Sequence, residues 1–245
     1  MAPVLENQKV IVVLIGKFEP SMALPAKLGA AGVIRADEAR AAEFKTLVKD
    51  QVVEYALEWC SVSVVRNRFA VETAVPPFVK VADLIQKTIN ELMTGASVTQ
   101  MGINRLYEMK FSSNAERDAF GTRIVPPSTW GKWGRQVGER IKTNPESHGG
   151  VISVVMRETP VAGEDLRTRD VTIQATPRTS TSPAQAILGL NDNFNVSDAN
   201  QPTGLEPQEL ANRHTSSLMR ILGEQFDKSI NDLESMAHDI IGISS

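Results

Sequence analysis

After Lys9, the run to Ile15 is apolar at every position and ends at Gly16, which predicts a central strand covered on both faces. A short Ala/Leu segment, Met22–Ala31, follows Pro20 and leads to Gly32. From Asp37 to about Trp59, the residues Phe44, Leu47, Val48, Val52, Tyr55 and Trp59 recur at helical spacing. They predict a helix capped by Asp37. Ser61–Thr73 is rich in valine and predicts a strand. Pro76-Pro77 ends it and opens a helix with the stripe Phe78, Val81, Leu84, Ile85, Ile89 and Leu92, stopped at Gly95. The clearest strand comes next. Met101, Ile103, Tyr107, Met109 and Phe111 share one face, with Gln100, Asn104, Glu108 and Lys110 on the other.

Residues 112–150 change character. A short helix is expected at Ala115–Phe120, followed by Pro126-Pro127, a repeated Trp-Gly pair and a boundary at Gly149-Gly150. Three strands follow, Val151–Glu158, Arg167–Thr176 and Ala186–Val196, with a polar loop at Thr176–Pro183. A second loop, Ser197–Gly204, precedes a helix from about Glu206 to Ile241 with a nearly continuous apolar seam. The expected fold is α+β: about six strands in a mixed or antiparallel sheet, four or five helices, and a long amphipathic C-terminal helix. It divides into an N-terminal α/β half (1–113), a Trp/Gly-rich basic connection (114–150) and a strand meander with the terminal helix (151–245), or forms one continuous domain. Both halves mix helices and strands, a likeness of pattern without sequence identity.

Composition narrows the function. The chain of 245 residues is 42% hydrophobic and carries a net charge of -3, which fits a globular protein and gives no overall excess for a polyanion. Cys60 is alone, so a disulfide scaffold or a cysteine-based zinc site is excluded. The N-terminus lacks the basic patch and apolar core of a signal peptide, and no apolar run has the roughly 20 residues a membrane span needs. A cytoplasmic protein is expected, with no cofactor.

Candidate chemistry is sparse. Gly29 and Gly32 have no phosphate-binding lysine after them and read as a turn. Cys60 reads as a small buried hydrophobe. His148 precedes two glycines, while His214 and His238 lie too far apart on the terminal helix to share a metal. Asp192 falls on the apolar face of its strand, as a bulge or frayed end or else as a buried functional acid. Arg105 and Glu108 are similarly unspecific. One segment departs from this background: Trp130, Lys132, Trp133, Arg135, Arg140 and Lys142 against Glu139 alone. The simpler reading anchors both tryptophans on the core and leaves the cations in water. The functional readings are stacking on single-stranded nucleic acid, or a protein-binding hot spot. In the terminal helix, Leu218, Leu222, Phe226, Ile230 and Leu233 either pack on their own sheet or form an oligomer interface.

The mid-chain element Met101-Gly-Ile-Asn-Arg-Leu-Tyr107, the late element Ala186-Ile-Leu-Gly-Leu-Asn-Asp-Asn-Phe194 and the helix carrying Gln225-Phe226 give the chain a recognisable layout. It resembles a sporadically distributed bacterial family of uncharacterised proteins of about this length. Members have an early apolar strand, a central Gly-hydrophobic-Arg-aromatic-Asn pattern, and a late strand leading into a terminal helix. Here the polar residues of the central pattern stand in a different order. The resemblance implies a bacterial or mobile-element origin and a role beside defence genes, with no catalytic residues to carry over. The expected function is a non-catalytic interaction or scaffold protein in a homo- or hetero-oligomeric assembly, either a bacteriophage structural component or a defence accessory. The alternatives are a single-stranded nucleic-acid-binding protein or ribonuclease using residues 130–142, and a small-metabolite enzyme using Asp192, Arg105 or Glu108.

Overall fold

The computed structural model describes residues 3–143, 150–160, 167–175, 185–197 and 206–242. The chain opens with strand β1 (Val4–Lys17), short helices α1 (Pro25–Ala30) and α2 (Ala36–Ala41), and a meander of β2 (Glu43–Val48), β3 (Val52–Ala56), β4 (Ser61–Val65) and β5 (Arg68–Thr73), closed by α3 (Val79–Leu92). The same order then recurs. Strand β6 (Ser97–Lys110) leads to α4 (Asn114–Ile124) and α5 (Gly131–Thr143), a meander of β7 (Ser153–Glu158), β8 (Arg167–Ala175) and β9 (Gln185–Asn195), and α6 (Pro207–Gly242). Together they form one α+β fold with a sheet of nine antiparallel strands in the order β2-β3-β4-β5-β1-β6-β9-β8-β7.

In each half the last meander strand returns to pair with the first strand, so β1 and β6 meet at the centre. They pair antiparallel from Val4↔Lys110 to Lys17↔Ser97. The topology is therefore a β-α-α-meander-α unit repeated about an approximate two-fold axis normal to the sheet. The segments on either side of the expected boundary at Gly150 belong to this one sheet. At Gly16 the register shifts, and any side chain there would collide with the Ser97 carbonyl.

Two expected elements are corrected. The helix expected from Asp37 to Trp59 is only α2, followed by the β2–β3 hairpin. Its supposed stripe consists of cross-strand neighbours: Phe44↔Tyr55, Leu47↔Val53 and Val48↔Val52. Valine and aromatic residues favour the extended chain, and Asp50 makes the turn at φ 57, a conformation that Asp tolerates. The single strand expected at Ser61–Thr73 is likewise a hairpin, turning at Arg66-Asn67. These hairpins account for all three strands beyond the expected six.

The sheet is covered on one face. Val10, Val12, Leu14, Ile103, Leu188 and Leu190 are buried there, whereas Ile11, Val13, Asn104 and Asn193 on the opposite face are only half-buried. The expectation that β1 is covered on both sides does not hold. Leu218, Leu222, Phe226 and Ile230 of α6 enter the core shared with α3, and Leu233 enters a second core around Tyr107, Phe120 and Leu188. All five are spent on their own chain and form no exposed oligomer interface. Burying each contributes about 1.5–3 kcal/mol.

Charge also fixes α6. Asp192 is fully buried and lies in regular register with Ile103 and Arg169, so the bulge expected there is absent. Arg169 on β8 grips its carboxylate with both Nε and Nη2, at 2.5 and 2.7 Å, and Ser229 on α6 donates to Oδ2 at 2.5 Å. Arg105 on β6 is 1% exposed and reaches Glu234 of α6 at 3.2 Å. At the other end of the helix, Ser97 Oγ lies 3.0 Å from Nδ1 of the buried His214.

Two outcomes follow in urea denaturation. Asp192→Ala leaves the buried Arg169 guanidinium with only the half-exposed Asp232 at 3.5 Å and should cost about 3 kcal/mol, much of it recovered in the apolar pair Asp192→Leu with Arg169→Met. Burial holds His214 below its ordinary value, so the unfolded chain takes up the proton first as pH falls. Stability from this residue should be complete above about pH 6.5 and decline below it, and His214→Asn should flatten that slope.

Candidate functional site

Among the described residues the buried polar groups are spread over separate places in the fold. Arg105 donates from Nε to the Tyr107 hydroxyl and from Nη2 to Gln8 Oε1 at 2.8 Å, with its guanidinium 4.8 Å from the Phe78 ring centre. Gln8 reaches it because β1 bulges between Glu6 and Lys9, where Asn7 has φ 47. Nη1 of Arg105 has no hydrogen-bond partner among the described residues. Glu108 lies on the opposite face of β6 and accepts a hydrogen bond from Asn7 at 2.8 Å. The trio Asp192, Arg105 and Glu108 thus spans both faces of the sheet and shares no cleft. Cys60 is buried, and burial pushes its thiol up to about 12, which leaves no nucleophilic thiolate at neutral pH. His148 lies outside the described residues. Among the described residues no group of His, Cys, Asp or Glu is placed to hold a metal ion, and no helix is long and apolar enough to cross a membrane.

The remaining candidate is built by α5. Its apolar residues Trp133, Val137 and Ile141 stand four apart and line one face, while Lys132, Arg135, Gln136, Glu139 and Lys142 occupy the other. Arg140 and Lys142 fall in the last turn, where cations favour the helix dipole. Gly134 is buried against the Pro127 carbonyl and Trp130, positions a side chain would invade. This close approach sets the short turn Pro127–Trp130 against the helix and brings the two indoles into an edge-to-face contact, with centroids 6.4 Å apart.

Helix α5, this turn and the chain entering β7 enclose an apolar cleft of about 230 Å³. Trp130, Trp133, Val137, Ile141, Ile152 and Val154 are among its walls. The tryptophans are not core anchors: they are 60% and 65% exposed. Beside them Ile152 is 73%, Val155 61% and Met156 74% exposed. Among the described strands β7 is also an end strand of the sheet and pairs with β8 alone. Around the cleft, Lys142 pairs with Glu139 at 2.9 Å, whereas Lys132, Arg135 and Arg140 make no ion pair with a described residue. The structure thus places Lys132, Trp133, Arg135, Arg140 and Lys142 on one helix and Trp130 in the turn before it, with both tryptophans toward the cleft.

No protein-family model matches the chain, and no curated protein matches it.

Ile152, Val154 and Met156 alternate along one face of the predicted strand, with Val155 on the other, but none was singled out as a site residue, because alternation does not tell an end strand from an interior one. The helical spacing of Trp133, Val137 and Ile141 did carry a signal for α5, masked by Gly134 and Gly138, each of which costs a helix about 1 kcal/mol.

A second groove, of about 580 Å³, lies between α2 and α3, with Lys80 over the Trp59 ring at 5.7 Å. Its acids Glu38, Glu58 and Asp83 balance its bases Arg35, Lys80 and Lys87, so it carries no net charge to select a ligand.

Because the indoles contribute little to the core, Trp130→Ala and Trp133→Ala should each leave the urea midpoint within about 0.5 kcal/mol of wild type. A loss of several kcal/mol would place them in the folding core.

Proposed function

We propose that this chain is a non-catalytic interaction module that works within an assembly through the corner formed by α5 and β7. The observation that carries this reading is the pair of tryptophans, 60% and 65% exposed, on an apolar cleft beside an end strand. Water-exposed apolar surface is unfavourable by roughly 25 cal/mol per Å², and a contiguous patch of this kind marks a docking surface in folded proteins. Tryptophan and arginine are also the residues that most often dominate binding energy at interfaces. A structural component of a larger particle and an accessory subunit of a defence system are both forms of such a module.

A second reading is favoured by Lys132, Arg135 and Arg140, which have no described ion-pair partner beside exposed indoles. Indole faces stack on bases and guanidinium groups neutralise phosphates, so the same corner suits single-stranded nucleic acid.

Native mass spectrometry of protein purified without nuclease separates the two. The module reading expects a protein-only assembly that Trp133→Ala disrupts while the fold persists. Bound nucleic acid, released by salt and with its salt slope reduced by about one in Arg135→Ala, would establish the second reading instead. Wild-type protein that stays a bare monomer and binds neither protein nor nucleic acid in a Trp133-dependent way would sink both.

A further inference from the structure

The partner at this corner can be named more closely, on the basis of the reading just given. The two ends of the sheet are built differently. β2 carries Lys45 at mid-strand, and its register with β3 breaks between Phe44 and Thr46. An edge lysine and a bulge both discourage a further strand from pairing. β7 lacks these protections. It pairs with β8 in unbroken register from Ser153↔Gln174 to Glu158↔Arg169, and Ser153–Met156 carry no charge. Arg157 is already neutralised by Asp170 of the same chain through hydrogen bonds of 2.7 and 2.8 Å. Every residue of β7 except Val154 is exposed.

We propose that the occupant is a second copy of this chain, joined β7 to β7 by antiparallel strand pairing about a two-fold axis normal to the sheet. The fold already performs this operation internally, where β1 and β6 join its two halves. Rotation about the sheet normal keeps the helices of both copies on one side. Met156, which with Ile152 lies on the helix-bearing side opposite Val171 and Ala175, then faces Val154 of the second copy and lies diagonal to its Ile152 and Met156. Such a contact is self-complementary, as an isologous interface requires.

Charge permits the pairing. When β7 runs antiparallel to itself about Val155, Arg157 faces Ser153 and Glu158 faces Ile152 of the other strand. No like charges oppose each other across the ladder. Area permits it as well. Trp130, Trp133, Ile152, Val155 and Met156 together offer roughly 600 Å² per copy, or about 1,200 Å² in all, the lower bound for a stable specific interface. The pairing also closes: it consumes both β7 edges and leaves the protected β2 edges outward, which gives a finite dimer.

Sedimentation velocity from low to high micromolar protein should give the mass of a dimer. Val155→Lys, at an exposed position, should weaken self-association by at least about tenfold in Kd while leaving the circular dichroism and urea midpoint unchanged. Val155→Cys should cross-link two copies on mild oxidation, Cys60 being buried, and Leu47→Cys on the opposite edge should not. A wild-type monomer throughout, a dimer indifferent to Val155→Lys, or cross-linking through Leu47→Cys as readily as through Val155→Cys would overturn the inference. A monomer that still binds another protein or nucleic acid in a Trp133-dependent way would overturn only the choice of a second copy and leave the role of the corner standing.

Discussion

β1 and β6 pair in antiparallel register over nearly their whole length, and that central ladder determines where the rest of the chain can go. Because the two strands are the first elements of two similar units, each meander is forced outward from the seam. β2 and β7 consequently become the ends of the sheet. The closing helices must cover the centre, where the apolar density is greatest, and α3 and α6 meet there over a common core. Gly16 protects the seam itself, since a side chain at that register shift would displace the Ser97 backbone.

The long helix is held by more than apolar contact. Its buried stripe alone would permit sliding by a turn, because leucines and isoleucines are nearly interchangeable along a seam. The Asp192–Arg169–Ser229 cluster and the Arg105–Glu234 pair remove that freedom. Each is favourable in one register and leaves a buried charge unpaired in any other. Charges deep in this protein thus act as positioning devices for α6. That accounts for strongly polar residues on apolar faces.

Much of the architecture was legible in the residues, and the gaps have physical causes. β6, β8, β9, α3 and α6 are written in clean periodicity of two or of 3.6, with proline and glycine at their ends. The β2–β3 hairpin was hidden because Phe44, Leu47, Val48, Val52 and Tyr55 satisfy a helical spacing by coincidence of a tight turn. Asp192 was legible as an anomaly only; its partners Arg169 and Ser229 lie 23 and 37 residues away, and pairing at that separation leaves no local trace. At the candidate site, the tryptophans and cations stood out by composition. Their exposure did not, because it depends on β7 being an end strand, a property of the global strand order.

The same global order bears on why the corner exists at all. Helix α5 contains three glycines, and Gly134 is needed for the turn before it to pack closely. A helix selected for stability would place alanine at such positions and bury its indoles. Instead the glycines draw the Pro127–Trp130 turn inward and present both indoles to solvent, next to a strand whose outer edge lacks the lysine and bulge found on β2. Each departure weakens the isolated chain a little: flexible helix positions, wet aromatic surface and an unguarded edge. All three fall at one end of one sheet, and a partner strand with its apolar side chains would relieve two of them together. Their coincidence is what makes this corner, and not the buried charges beneath α6, the place to look for function.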